Sequence, residues 1–310
     1  MSHLFKGPSF SPAFNAAFGI GGVDIYNPVS PLELLGQSRL PLWLESRPDY
    51  VDSMASDGTQ WSDLSGNANH ATATTTAPTK TDDGFVFTTG KRMTVPHGAE
   101  FLNALGQHVF VVAEWDTLNT YSTVFSRYGG AGSREFTLLK QDGTAPGNSF
   151  YMQFSKDGSA VTTIGKIQQI AVDTPYVVYG SIQDDDYVEV GVNHARANQR
   201  ALISGSVFDD GTPPNITIGD SSFTGTPMRG KIKAVVVASG DLSDAEKDAI
   251  LEYLGYHYNV NVTLSTQDVT AAMVGQSNGS NWFSNRPPYD DNGEDAFIAE
   301  ILTQKESVFL

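Results

Sequence analysis

Gln60-Trp61-Ser62-Asp63-Leu64-Ser65-Gly66-Asn67-Ala68-Asn69-His70-Ala71 is the stretch on which the fold turns. Ser65, Gly66 and Asn67 are turn formers: glycine takes positive φ freely, and asparagine bonds its own backbone. Trp61 is too large to leave in water, so it is expected to plug the edge of an apolar core. Asp63 is placed to accept hydrogen bonds from the amides of the turn that follows. The loop leads into a chain with β patterning and few helical signals.

From Phe85 onward, apolar and polar residues alternate with period two. Phe150, Met152 and Phe154 alternate with Tyr151, Gln153 and Ser155, and Val188, Val190 and Val192 with Glu189, Gly191 and Asn193. Ile216 and Ile218 alternate with Asn215 and Thr217. Val109 to Ala113 and Val235 to Val237 are apolar throughout, which suits inner strands covered on both faces. Turn signals lie between: Asp142-Gly143, Asp157-Gly158, Asp184-Asp185-Asp186 and Asp210-Gly211. Many short strands separated by such turns predict a sandwich or barrel. The clearest helix runs from Ser243 to about Tyr258. Ser243 and Glu246 form a capping box. Ala249, Ile250, Tyr253, Leu254 and His257 share one face, expected to cover an edge or end of the sandwich.

The spacing Trp-x-Asp-x-Ser-Gly-Asn-x-x-x-Ala over Trp61 to Ala71, preceded by Leu42-Trp43-Leu44 and followed by Phe85-Val86-Phe87, resembles the laminin-G-like, concanavalin-A-type jelly roll. That family is frequent in bacterial surface proteins and phage tail proteins. Gly230 to Val237 resembles its last long strand. Asp241 to Glu246, with Ile250, Tyr253, Leu254, Tyr258 and Asn259, resembles its closing helix. The resemblance implies an all-β antiparallel jelly-roll sandwich over residues 41–259 with one C-terminal covering helix. An extended arm (1–40) would precede it, and a linker with a short α/β fragment (260–310) would follow.

Composition narrows the partners. With 310 residues, 40% hydrophobic and 17% charged, the chain has the makings of a large ordered domain. Its net charge of -16 argues against nucleic acid and against anionic membranes, which both need basic clusters. No apolar run approaches the roughly 20 residues that span a bilayer. Cysteine is absent, which removes disulfides and thiolate metal sites. Met1 to Pro8 lack the apolar stretch of a signal peptide. The expected location is a virion assembled in the host cytoplasm.

The first forty residues do not read as a domain. Ser11 as N-cap, Pro12 at the first position and Gly19 past the end outline a short helix with Phe14 and Phe18 on one face. These aromatics, with Phe10, either fold back on the β domain or dock on another protein; the second reading makes this an attachment arm. Gly36-Gln37-Ser38-Arg39 reads as linker.

Chemistry is suggested chiefly by Gly275-Gln276-Ser277-Asn278, which follows an apolar run and resembles the first block of SGNH-type hydrolases of the sialate O-acetylesterase kind. The resemblance implies Ser277 as acyl nucleophile. Such a serine needs a base within hydrogen-bond reach and oxyanion donors. No histidine follows Ser277 in the chain. Either the sequence is the front part of a longer esterase-bearing chain or the motif is a remnant; no esterase activity is expected from these residues alone. Asp184-Asp185-Asp186 and the loop set Asp63, Asn67 and Asn69 offer oxygen ligands for calcium, with turn capping the preferred role for Asp63. His194, Arg196 and Arg200 form a small basic patch. His70, His97, His108 and His257 lack metal-ligand spacing. Tyr121, Tyr128 and Phe223 are candidate sugar platforms.

Three functional readings follow. The leading one is a structural and recognition module of a phage tail fibre or similar virion appendage. It would contact host surface glycans, join other tail proteins through the arm, and assemble as a homo-oligomer, a trimer by analogy with such fibres. The alternatives are a carbohydrate O-acetylesterase whose catalytic domain is truncated here, and a cell-surface adhesion protein. No cofactor is expected, with Ca2+ the one ion for which the acidic loops offer ligands.

Overall fold

The computed structural model describes residues 27–264 apart from 48–49, 51–56, 75, 97, 99–100, 102–105, 119, 129–133, 141–148, 157–159, 168–169, 184–185, 194–198, 203–214, 222–224 and 263. Phe10, Phe14, Phe18 and Ser277, and with them the arm helix and the SGNH-like block, lie outside the described residues.

In chain order, a short helix α1 (Pro31–Leu35) and a 3-10 turn (Gln37–Arg39) precede β1 (Leu42–Glu45), β2 (Gln60–Trp61), β3 (Ala71–Ala73), β4 (Thr79–Thr81), β5 (Gly84–Phe87) and β6 (Met93–Val95). The long strand β7 (Gly106–Trp115) leads to β8 (Ser122–Tyr128), β9 (Arg134–Lys140), β10 (Ser149–Ser155) and β11 (Val161–Ile167). There follow β12 (Pro175–Gln183), β13 (Tyr187–Val192), β14 (Gln199–Leu202), β15 (Ile216–Ile218), β16 (Gly230–Ser239) and helix α2 (Asp244–Tyr258). The strands form two antiparallel sheets. The first has the order β14-β13-β12-β7-β16-β5-β4, with β1 also on β16; the second runs β11-β10-β9-β8-β15-β6-β3-β2. This is the all-β antiparallel sandwich with a C-terminal covering helix that the sequence pattern predicts.

Period-two patterning builds the core. Phe150, Met152 and Phe154 of β10 lie beside Phe136 and Leu138 of β9 and share one core with Val109, Val111 and Val190 of the other sheet. The other side of the first sheet is apolar as well. Phe110, Val112, Tyr179, Ala234 and Val236 pack with Ile250, Leu251 and Leu254 of α2. That second core explains why Val109 to Ala113 and Val235 to Val237 carry apolar side chains on both faces. It also corrects one expectation: α2 covers the face of the first sheet, over β7 and β12, rather than an edge or end. The helix starts with the predicted capping box, Ser243 Oγ accepting from Glu246 N at 3.3 Å and Glu246 Oε2 accepting from Ser243 N at 2.9 Å.

A second correction concerns β13, whose alternation suggests one wet face. All six of its residues are buried. Glu189 lies under the helix, where Lys247 Nζ meets its carboxylate at 2.9 Å and donates to Tyr187 Oη at 2.9 Å. Burying both charges is tolerable only because they are paired.

Gly36–Arg39 is not a free linker. Arg39 Nη1 meets Glu246 Oε1 at 2.7 Å and its Nη2 donates to the Asp241 carbonyl at 2.6 Å. The same guanidinium and the capping hydrogen bonds hold the Glu246 carboxyl down to about 2. Leu35 and Leu40, on either side of the turn, are buried in the helix-side core. Residues 31–40 therefore brace the start of α2.

β1 and β5 lie end to end along one edge of β16. They meet at Lys233, where the β16–β7 register shifts between Ile232 and Ala234. The Lys233 oxygen accepts from Ser46 N at 3.1 Å, continuing the β1 ladder, and also from Ser46 Oγ at 2.6 Å and Tyr258 Oη at 3.0 Å. Glu45, fully buried next to this point, accepts from Trp43 Nε1 at 2.9 Å and Tyr253 Oη at 2.8 Å and pairs with Arg47. Burial pushes its pKa up, opposed chiefly by the Arg47 charge. Hydrogen bonds thus tie β1 to the far end of α2.

Candidate functional site

The Trp61–Ala71 loop is a structural clasp. Trp61 is fully buried, 4.9 Å from the Phe85 ring by centroids, and its Nε1 donates to the Glu45 carbonyl at 3.1 Å. Asp63 accepts four hydrogen bonds. Its Oδ1 takes Trp43 N and Ser65 N, both at 2.9 Å; its Oδ2 takes Ser65 Oγ at 2.7 Å and Asn69 N at 3.0 Å. Gly66 has φ 91°, and Ala68 also sits in the left-handed region at φ 61°. Asn67 Nδ2 donates to the Leu40 carbonyl and Asn69 Nδ2 to the Pro41 carbonyl, each at 2.9 Å. Both amides thus turn their donors inward, and the carboxylate oxygens already serve N–H and O–H groups. Oxygen-rich composition here serves turn capping, and no group of three acids and histidines suited to a metal occurs among the described residues.

The described histidines take structural roles. His70 Nδ1 accepts from Asp63 N at 3.0 Å. His257 lies 2.6 Å from Arg47 Nη1 and packs edge-on against Tyr253. His108 Nε2 lies 2.9 Å from the Gly240 carbonyl and must donate to it, so Nδ1 accepts from the Ser181 hydroxyl. Burial holds the His108 pKa down to about 3, so the ring is neutral. Ser181 and His108 are both sealed from solvent, which leaves a substrate no way to reach this serine–histidine pair. His97, His194, Arg196, Asp184, Asp185 and Phe223 lie outside the described residues, as do the side chains of Tyr128 and Arg200. Asp186 and Tyr121 are exposed.

Helix α2 covers the outer face of the first sheet; the outer face of the second sheet has another character. Its strand registers align Gln60, Thr72, Thr94, Thr217, Ser126, Thr137, Gln153 and Thr163 in one row across all eight strands. Every member is an uncharged hydroxyl or amide. The middle is closed to water: Ser126 Oγ and Thr137 Oγ1 bond each other at 2.8 Å, and Thr217 Oγ1 donates to the Asp220 carbonyl at 2.8 Å. The two flanks are open, with Thr72 and Thr163 exposed and Gln60, Thr94 and Gln153 half-buried.

On the β10–β11 flank, Tyr151 stands directly across from Gly165. A methyl group on Gly165 would overlap the Tyr151 ring, so the ring lies flat against the strand surface in the space that glycine leaves. Tyr151 remains partly exposed. Gln153 and Thr163 are the adjacent cross-strand pair, and neither side chain is engaged by another described residue. A flat aromatic ring beside an unspent amide and hydroxyl can stack on a C–H face and exchange hydrogen bonds with hydroxyls. The first sheet repeats the device with Tyr179 across from Gly191, but there the ring is buried beneath α2 and stacked on Phe110. Sequence reading passed over Tyr151 in favour of loop aromatics; the signal that marks it is its alternation with Gln153 on the polar side of an otherwise apolar strand.

The architecture defines a class of fold, the all-β sandwich of two antiparallel sheets. No protein-family model matches the sequence, and no curated protein does. Among solved structures, domain 4 of AbnA, an extracellular arabinanase from Geobacillus stearothermophilus solved with arabinotriose, matches with a TM-score of 0.51 at 15% identity, over 69% of this chain and 98% of that one. The receptor-binding domain of botulinum neurotoxin mosaic serotype C/D matches with a TM-score of 0.51 at 13% identity, over 71% of this chain and 51% of that one. The binding domain of botulinum neurotoxin DC in complex with SialylT matches with a TM-score of 0.50 at 10% identity, over 71% and 52%. The chain spans about half the length of these toxin domains. At such identities the likeness is one of fold.

Proposed function

We propose that this chain is a non-catalytic carbohydrate-recognition and spacer module of a phage tail fibre or similar virion appendage. The observation that carries the recognition role is the Tyr151 ring laid flat on Gly165, beside Gln153 and Thr163, which no described residue engages. Support of a general kind comes from the arabinotriose held by the AbnA domain of the same fold. The virion setting rests on the laminin-G-like resemblance and on an acidic, cysteine-free chain. In this reading Phe10, Phe14 and Phe18 attach the module to other tail proteins, and the module works as a homo-oligomer, a trimer in such fibres. Trp61, Asp63, Ser65, Gly66 and Asn67 serve the fold rather than the ligand. The test is a glycan array probed with the full chain and with Tyr151→Ala. Binding that the substitution removes supports the reading; no binding to any glycan leaves only a spacer.

A further inference from the structure

Resting on that reading, we infer that the glycan taken by the Tyr151 platform is uncharged: a hexopyranose unit stacked on the ring, with its hydroxyls bonded to Gln153 and Thr163. Three observations converge on this. Stacking needs a sugar face made of C–H groups, which an aromatic ring covers at no cost in lost hydrogen bonds. The side chains beside the ring supply a neutral amide and a neutral hydroxyl, and no described residue engages either. The aligned row to which they belong holds no ionisable side chain over its whole length, from Gln60 to Thr163.

An acidic sugar would require something else. A carboxylate is recognised by guanidinium forks, ammonium groups or converging backbone amides. On the same outer face Arg92 Nε donates to Thr74 Oγ1 at 3.1 Å, on the β3–β6 flank at the opposite side of the sheet, and its charge acts on Asp220. Lys140, at the end of β9, is fully buried and donates to the Leu118 and Thr120 carbonyls at 2.9 and 2.8 Å. Neither of these two described cations serves the platform. The net charge of -16 adds long-range repulsion against any polyanion. Charge thus acts as a filter, and the stacked ring supplies the attraction.

The patch spans two strands about 4.8 Å apart, room for about one sugar ring, so a single contact is weak and a polymeric probe is needed. The experiment is affinity electrophoresis of the full chain through gels holding a neutral β-glucan, a neutral galactan, polygalacturonate or polysialic acid. It is run for the wild type, Tyr151→Phe and Tyr151→Ala. The expected result is retardation by a neutral polymer that Phe preserves and Ala weakens about tenfold. It should change less than about twofold between roughly 50 and 500 mM salt, because no ion pair is involved. Retardation confined to the acidic polymers and lost in salt overturns the inference while leaving glycan recognition standing. Neutral binding that survives Tyr151→Ala overturns the site. No retardation by any polymer refutes recognition itself, and the inference with it. Melting of Tyr151→Ala close to the wild-type temperature separates loss of contact from loss of fold.

Discussion

Removing the Asp63 carboxylate should cost a substantial part of the domain's stability. Its two oxygens accept four hydrogen bonds, and two of the donors, the amides of Trp43 and Ser65, make theirs in buried positions. In Asp63→Ala these two are orphaned, at about 1–3 kcal/mol each, and the bonds from Ser65 Oγ and Asn69 N disappear with them. For these two amides the sum is about 2–6 kcal/mol, set against a total of about 5–15 kcal/mol for a folded domain. Asp63→Asn retains an oxygen for Trp43 and Ser65 N but turns an NH2 toward the Ser65 hydroxyl and the Asn69 amide, so about half the loss is expected. Urea unfolding followed by tryptophan fluorescence measures both, since Trp61 and Trp43 flank the clasp. An alanine variant within about 1 kcal/mol of wild type, or an asparagine variant equal to it, would refute the view that this carboxylate staples β1 to the loop.

The paired Tyr–Gly contacts predict opposite outcomes for one substitution. Gly165→Ala lifts the Tyr151 ring and weakens glycan binding, with a small change in melting temperature. Gly191→Ala pushes Tyr179 against Phe110 and α2, and costs about 1–3 kcal/mol as overpacking. Acid should unfold the domain in two stages, read as melting temperature against pH. His108 has its pKa depressed from 6.5 to about 3. Its contribution is complete above pH 6.5 and is lost as pH falls toward 3, by about 1.4 kcal/mol per unit. Asp83, salt-bridged to Lys231 and Lys233, and Glu246 are both held near 2. Their contributions are complete above their ordinary values of 3.8 and 4.5 and are lost as pH falls through about 2. His108→Gln, which can keep both hydrogen bonds, should erase the upper stage alone. Finally, residues 1–310 should not hydrolyse an aryl acetate above background; turnover abolished by Ser277→Ala would show otherwise.

Much of this fold can be read from local pattern. The β10 alternation and the Ser243–Glu246 capping box are complete within a few residues, so the sequence displays them directly. What it hides depends on partners far along the chain. Arg39 looks like part of a linker because Glu246 lies 207 residues away. Glu189 looks solvent-facing because Lys247 arrives only with the helix. The seat of α2 was hinted at by strands apolar on both faces, yet its position follows from Phe110, Tyr179 and Val236, which share a surface only once three strands pair. Tyr151 looks like an ordinary polar-face residue until the β10–β11 register puts a glycine under it. Site reading fails most readily in this way, because a stacking platform is a property of two strands.

The joint along β16 bears on how the chain acquires its shape. Leu42 of β1 is matched with Val237, so the first and last strands of the domain are neighbours. Contacts of such separation are slow to form, because most of the polypeptide must be ordered before they are rewarded. A nascent chain shorter than about Ser239 leaves β1, β5 and β7 without their common partner, and α2 without the surface it covers. Exposed strand margins of that kind invite pairing with other chains. Synthesis must therefore run almost to the end of the domain before the molecule is safe from its own copies, and a ribosome that stalls in the 203–230 region would release a strongly self-associating product.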